Sequence, residues 1–355
     1  MKKFLFFSVL AILLAVLANL LIQRYVEPNQ VYFRQVSEVV DRWEAKMRES
    51  HQNLHVVCGG SSGRFGINAQ ILLDEYDLPV VVANGNAGFG FEPSIALAWK
   101  FIRPGDTLIL SNEDASLYLS DGDCTSSGLQ QAVQRLGVSM FKDDMIPFTW
   151  KNFSTSLRGD AASISMAFAK LFFPMKKRYR YFGTAHIHPC SWGEIYSYSD
   201  KTFDARYQPK PSSLRCYNLT PYVDRYLREL LEKAKSKNVH VIYHQTAQFN
   251  PVIYSDRRAW LALQLTRLGI PVIKVPQFNL YSERSLFADT AGHMNKVGAS
   301  IGTRQLGISL ENQIFWKEDE LLQILRNQGW TGEGAPISHM MEPCKINTDL
   351  KCNLK

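Results

Sequence analysis

The chain has 355 residues, 46% of them apolar, enough for one large domain with a sizeable core. Its formal net charge is +7, which is mild, and no long basic run interleaves with aromatics, so a nucleic-acid partner is excluded. The six cysteines (Cys58, Cys124, Cys190, Cys216, Cys344 and Cys352) form no CxxC pair, which excludes a zinc ribbon and a thioredoxin-type motif.

Residues 4–22, FLFFSVLAILLAVLANLLI, carry no charge and are long enough to cross a bilayer as a helix. Lys2 and Lys3 precede them, which orients the N-terminus to the cytoplasm and exports the rest, although Arg24 weakens the asymmetry. A cleaved signal peptide is the rival reading, but the run is long for one and no small-x-small site follows it. The expectation is therefore an N-terminal anchor over 1–25. Export would allow disulfides, and Cys344 with Cys352 would close a short tail loop, whereas Cys58 reads as a buried thiol.

Residues 31–50 read as an amphipathic helix, with Val36, Val39, Val40, Trp43 and Met47 near one face. Leu54–Cys58 is a buried strand that breaks into Gly59-Gly60-Ser61-Ser62-Gly63, and a helical pattern follows from Phe65 through Ile67, Ile71 and Leu72. Pro79–Ala83 is a second strand, 93–102 a helix, and Thr107–Ser111 a third strand. From about 115 to 218 the rhythm breaks, and this stretch reads as an insertion with one helix at 160–172. Thr220-Pro221 opens a helix over 221–237, Val239–Tyr243 is a fourth strand, 256–268 a helix stopped by Gly269, and Ile270–Val275 a fifth strand. A last core helix falls at 294–306. The domain thus spans 31–310, and 311–355 is a C-terminal extension with a short helix near 318–327. Five βα units predict an α/β, doubly wound, three-layer αβα domain with a five-stranded parallel sheet, which binds ligands beyond the carboxyl ends of its strands.

Four polar segments fall on that rim: Ser61 after the first strand, the Asn84–Gly90 loop after the second, Ser111-Asn112-Glu113 after the third, and Asp289-Thr-Ala-Gly-His293 after the fifth. A strand, a glycine-rich corner and a helix lift a hydroxyl above the sheet, although serines that merely cap an ordinary βα turn fit the same residues. A serine needs a base, an imidazole is the usual one, and a carboxylate fixes the imidazole tautomer. Ser61, His293 and Asp289 suit those roles as catalytic residues, and Ser61 N–H, Gly88 N–H and the Asn112 amide suit an oxyanion.

These residues resemble the SGNH (GDSL-type) hydrolase superfamily, whose fold is flavodoxin-like. GGSSGRFGIN and GHMNKVG are most similar to its membrane-anchored, exported branch, which includes the D-alanyl transfer protein of teichoic acid modification. The likeness covers 54–112 and 220–306. Three departures stand out: Gly60 replaces the usual aspartate, Ser111-Asn112-Glu113 replaces Gly-x-Asn-Asp, and three residues instead of two separate Asp289 from His293. Taken over at the matching positions, Ser61 is the nucleophile, His293 the base, Asp289 its orienting acid, and Gly88 and Asn112 the oxyanion donors. The resemblance implies an extracytoplasmic acyltransferase, periplasmic or at the cell surface. It would move a small acyl group, acetyl first, to a polysaccharide beside a membrane-bound O-acyltransferase, with no cofactor and no metal. A glycan O-acyl esterase and a non-catalytic glycan-binding scaffold are the rival readings.

Ser62 is the alternative hydroxyl. His186, His188 and Cys190 alternate as metal ligands would on one strand face, but a fourth ligand is not evident. Trp192, Tyr196 and Tyr198 suit sugar stacking or a core equally. His240 and His244 flank the fourth strand as core or rim histidines. Glu113 and Asp114 read either as plain rim charges or as rivals of Asp289 for orienting the base.

Overall fold

A computed structural model describes residues 28–83, 90–122, 218–249, 255–287 and 292–332, together with Phe6, Phe7, Leu10, Leu14 and Ile146. The first long element, α1 (Pro28–Ser50), buries Val39, Val40, Trp43 and Met47, the face expected from their spacing. The Trp43 indole N–H donates to the Val80 carbonyl at 2.7 Å, which seats the helix on the sheet.

The four main strands are β1 (His55–Gly59), β2 (Val80–Val82), β3 (Thr107–Ser111) and β4 (His240–Tyr243). Each is a near-continuous apolar run because a parallel sheet is covered on both faces. They pair in the order β2-β1-β3-β4, all parallel, with His55 opposite both Val80 and Thr107, and Thr107 opposite His240. Two helices, α2 (Ser61–Gly66) and α3 (Ala69–Tyr76), connect β1 to β2, and α4 (Phe91–Trp99) connects β2 back across to β3. A short α5 (Asp114–Leu119) follows β3, and α6 (Pro221–Ser236) leads into β4. Because the chain leaves β1 toward one edge and β3 toward the other, right-handed crossovers place α2–α3 and α4 on opposite faces. The direction changes between β1 and β3, whose carboxyl ends are Gly59 and Ser111, paired opposite each other.

After β4 come β5 (Gln248–Phe249), α7 (Ser255–Arg267), β6 (Leu280–Tyr281), α8 (Lys296–Glu311) and α9 (Glu318–Asn327). β5 and β6 form a separate two-stranded parallel sheet. Thr220 caps α6, its hydroxyl accepting from Val223 N–H at 3.1 Å, as the Thr-Pro pair predicts.

Three expectations change. The fifth strand is not a full strand, and among the described residues the sheet has four. Residues 270–275 touch β4 through a single parallel bridge, Tyr243 to Val272, and reach Phe315 through an antiparallel one from Ile273. Ile273 N–H donates to the Tyr243 carbonyl, and Pro271, the next residue back on that side, lacks an N–H, so the ladder cannot extend toward the start of the run. The helix expected from Phe65 onward is two helices: α2 already starts at Ser61, and the chain breaks at Ile67, which is extended at φ −124 and ψ 121. Asn68 restarts it, its side chain accepting from Ile71 N–H at 2.9 Å. Finally, the segment assigned to the C-terminal extension packs into the main core as far as α9, where Leu321 and Leu325 are fully buried.

Most of the 4–22 stretch expected as an anchor lies outside the described residues, and among those described no helix is long and apolar enough to cross a membrane. The helix at 160–172, the His186/His188/Cys190 cluster, the aromatics Trp192, Tyr196 and Tyr198, and the Cys344–Cys352 pair also lie outside.

Candidate active site

The site is built where β1 and β3 end side by side. Gly59 pairs with Ser111 across the ladder, and a Cβ at Gly59 would run into the Ser111 carbonyl oxygen. That close passage turns the chain sharply, so Ser61 stands as the first residue of α2, half-buried at the rim.

His293 arrives from the far end of the chain. It precedes α8 by three positions, and the cap of that helix fixes it. Asn295 accepts from Val297 N–H at 3.1 Å and Gly298 N–H at 3.0 Å, while its own amide donates to the Ser285 carbonyl at 2.6 Å. Met294 is buried and bridges antiparallel to Phe287. The GHMNKVG motif is therefore a capped helix start with its histidine held on the rim.

The two segments meet at one hydrogen bond. Ser61 Oγ lies 2.9 Å from His293 Nε2, and the hydroxyl donates when the imidazole proton sits on Nδ1. Phe65, one turn after Ser61 on α2, stacks on the imidazole with ring centroids 4.3 Å apart and planes tilted by 31°. One helix thus holds the imidazole both at its nitrogen and on its ring face. Ser62, the alternative hydroxyl, is buried, and its backbone N–H donates to Glu113 Oε1 at 3.0 Å.

Asn112 follows β3 directly and is buried, with 2% of its surface exposed. Its carbonyl accepts from the Tyr243 hydroxyl at 3.2 Å, and its Oδ1 lies 4.0 Å from Cys58 Sγ. Among the described residues its side-chain N–H groups donate to none, which leaves them as donors at the β1–β3 junction. Burial pushes the Cys58 thiol up to about 12, so it is an inert core residue beneath the site. Gly88 and Asp289, expected as an oxyanion donor and as the orienting acid, lie outside the described residues.

A polar network underlies the rim. His244 is buried, with Nδ1 3.1 Å from Ser111 Oγ and Nε2 3.4 Å from Asn279 Nδ2. Asn279 Nδ2 also donates to the Gln245 carbonyl at 2.7 Å, so His244 fits as the Nδ1–H tautomer donating to Ser111. Arg258, 1% exposed, pairs with Asp114 at 3.0 Å and donates to the carbonyls of Thr246 at 2.7 Å and Phe278 at 2.6 Å. The latter bond holds a left-handed run at Gln277, Phe278 and Asn279. Burial, with the Arg258 charge, pushes His244 down to about 3. His244 is therefore a neutral support, and Asp114 belongs to Arg258. His240 is exposed.

The sequence reading did not anticipate the Phe65 stack or the Glu113 bond. The first was signalled by the four-residue spacing of Ser61 and Phe65, which puts both on one helix face once α2 is known to start at Ser61. The second carried no sequence signal, since its partners are 51 residues apart. Among the described residues no group of His, Cys, Asp and Glu side chains is arranged to hold a metal ion. No protein-family model matches this chain, and no curated protein matches it either.

Proposed function

We propose that this protein is a serine acyltransferase of SGNH type, with Ser61 as nucleophile and His293 as general base. The observation that carries the reading is the 2.9 Å bond between Ser61 Oγ and His293 Nε2, at the carboxyl edge of the sheet where the strand order reverses between β1 and β3. The finer fold assignment, a doubly wound flavodoxin-like domain, is supported by the β2-β1-β3-β4 order with 272–273 bridged to its outer edge.

In the reaction Ser61 Oγ attacks the carbonyl carbon of an acyl donor, and its proton passes to His293 Nε2. The carbonyl oxygen becomes an oxyanion, faced by Ser61 N–H and the Asn112 amide, with Gly88 N–H as the third donor that the resemblance implies. Collapse breaks the bond to the leaving group, which takes the proton from His293 and leaves an ester on Ser61. An acceptor hydroxyl then gives its proton to His293 and attacks that ester; the product leaves, and the proton returns to Ser61. Asp289 on Nδ1 would stabilise the imidazolium in both halves. The resemblance supports a small acyl group, acetyl first, a polysaccharide acceptor, and a membrane-bound O-acyltransferase as supplier. An anchor over 1–25 would hold an extracytoplasmic site beside that supplier and raise its effective concentration.

The test is intact-mass analysis of the full chain after treatment with a fluorophosphonate, beside Ser61→Ala and His293→Ala. One adduct on wild type, absent from both variants, is expected. A folded wild type that takes no adduct, alone or with its membrane fraction present, would overturn the reading in favour of a binding scaffold.

A further inference from the structure

The helix that begins at the nucleophile has no side-chain cap of its own. Its N-cap is Gly60, which carries no acceptor for the exposed N–H groups of the first turn. The acceptor comes from another strand. Glu113, just beyond β3, takes the Ser62 N–H on Oε1 at 3.0 Å. Its carboxyl lies so close over Gly60 that a Cβ there would overlap both carboxylate oxygens. Gly60 itself is extended, at φ −93 and ψ −160, a conformation open to any L-residue. A side chain at position 60 would have to displace the Glu113 carboxyl, whereas the backbone there would accept one.

From these contacts we infer that Glu113 is a positioning residue for the nucleophile, a cap supplied across the β1–β3 junction. It fixes the Gly60-Ser61-Ser62 turn, and so the reach of Ser61 Oγ to His293. It also occupies the Ser62 N–H, which leaves Ser61 N–H and the Asn112 amide to face an oxyanion. The inference rests on the reading of Ser61 as nucleophile. A carboxylate on residue 60 would serve the same turn from the N-cap position, provided that the space held by Glu113 were vacated.

A swap experiment follows, read as the rate of fluorophosphonate labelling of the full chain by intact mass, with thermal unfolding measured alongside. Glu113→Ala is expected to label at least about ten-fold more slowly than wild type, since small displacements of a reacting atom cost rates of that order. Glu113→Gln, whose amide oxygen still accepts, should stay within about three-fold. Gly60→Asp alone should be slow because its side chain collides with Glu113, and the double variant Gly60→Asp/Glu113→Ala should label faster than either single variant. A folded Glu113→Ala protein that labels at the wild-type rate overturns the inference. Should Glu113→Ala not fold, a double variant no faster than Gly60→Asp overturns it instead. Failure of wild type to label at all removes the Ser61 reading and this inference with it, so the two failures are distinct.

Discussion

Protonating His244 is expected to destabilise the fold well before the carboxylates titrate. The ring is fully enclosed between Ser111 and Asn279, near the buried Arg258 charge. Its folded-state value of about 3 stands against an ordinary 6.5. A histidine held neutral contributes stability that is complete above the ordinary value and is lost as pH falls toward the folded one. From those two values the loss is about 2 kcal/mol at pH 5 and about 4 kcal/mol at pH 3. His244→Gln removes this titration; it also weakens the bond to Ser111, at a cost of about 1 kcal/mol that does not depend on pH. Thermal unfolding of both proteins at pH 7 and pH 5 isolates the effect, because other titrating groups cancel in the difference. Wild type should lose roughly 4–8 °C more than the variant between the two pH values. Equal losses would refute the assignment of His244 as a buried neutral support.

The rim residues give two further expectations. Burial holds the Glu92 carboxyl above its ordinary value, while Ser120 Oγ donates to its Oε1 at 2.7 Å. The neutral form is favoured in the fold, so the contribution is full below the ordinary carboxylate range and is lost as pH rises through the raised value. Glu92→Gln, which keeps the acceptor, should therefore raise the unfolding temperature at pH 8 and not at pH 4; a gain equal at both would contradict this. Asn112→Ala should slow fluorophosphonate labelling by about a hundred-fold as an oxyanion donor is lost. An unchanged rate in folded protein would remove Asn112 from the site.

The strands were legible because parallel strands leave continuous apolar runs between glycines and prolines, and β3 falls on Thr107–Ser111 as read. The amphipathic helices were legible from local signals of their own, α6 from its Thr-Pro start and α9 over 318–327. What escaped was set by distant partners. The break between α2 and α3 follows the Thr303 hydroxyl on α8, which accepts from Asn68 N–H at 2.9 Å and donates to the Gly66 carbonyl at 3.4 Å. No local periodicity encodes that contact. Within the site, Ser61 and His293 were reachable from the rim rule and from the motifs, since Ser61 follows a glycine-rich corner and His293 just precedes a helix capped by Asn295. The bond from Ser62 N–H to the Glu113 carboxyl was not, because Glu113 reads only as a rim charge or a rival for orienting the base, and its partner lies 51 residues away.

The two halves of the candidate site are held by different physics, and this bears on what sets their separation. Ser61 is placed from the sheet: Gly59 lies against Ser111, and the Glu113 carboxyl clamps the turn that follows. His293 is placed from a helix, by the Asn295 cap and the Met294–Phe287 bridge. These halves are 232 residues apart in the chain and, among the described residues, share no strand pairing. They are brought together where α2 and α3 pack on α8, with Thr303 buried in that seam and bonded to both sides of the break at Ile67. A helix running unbroken from Ser61 would carry Asn68 away from Thr303 and lose the anchor. The extended residue at Ile67 thus ties the nucleophile helix to the helix that carries the base, and the 2.9 Å contact follows from that helix packing.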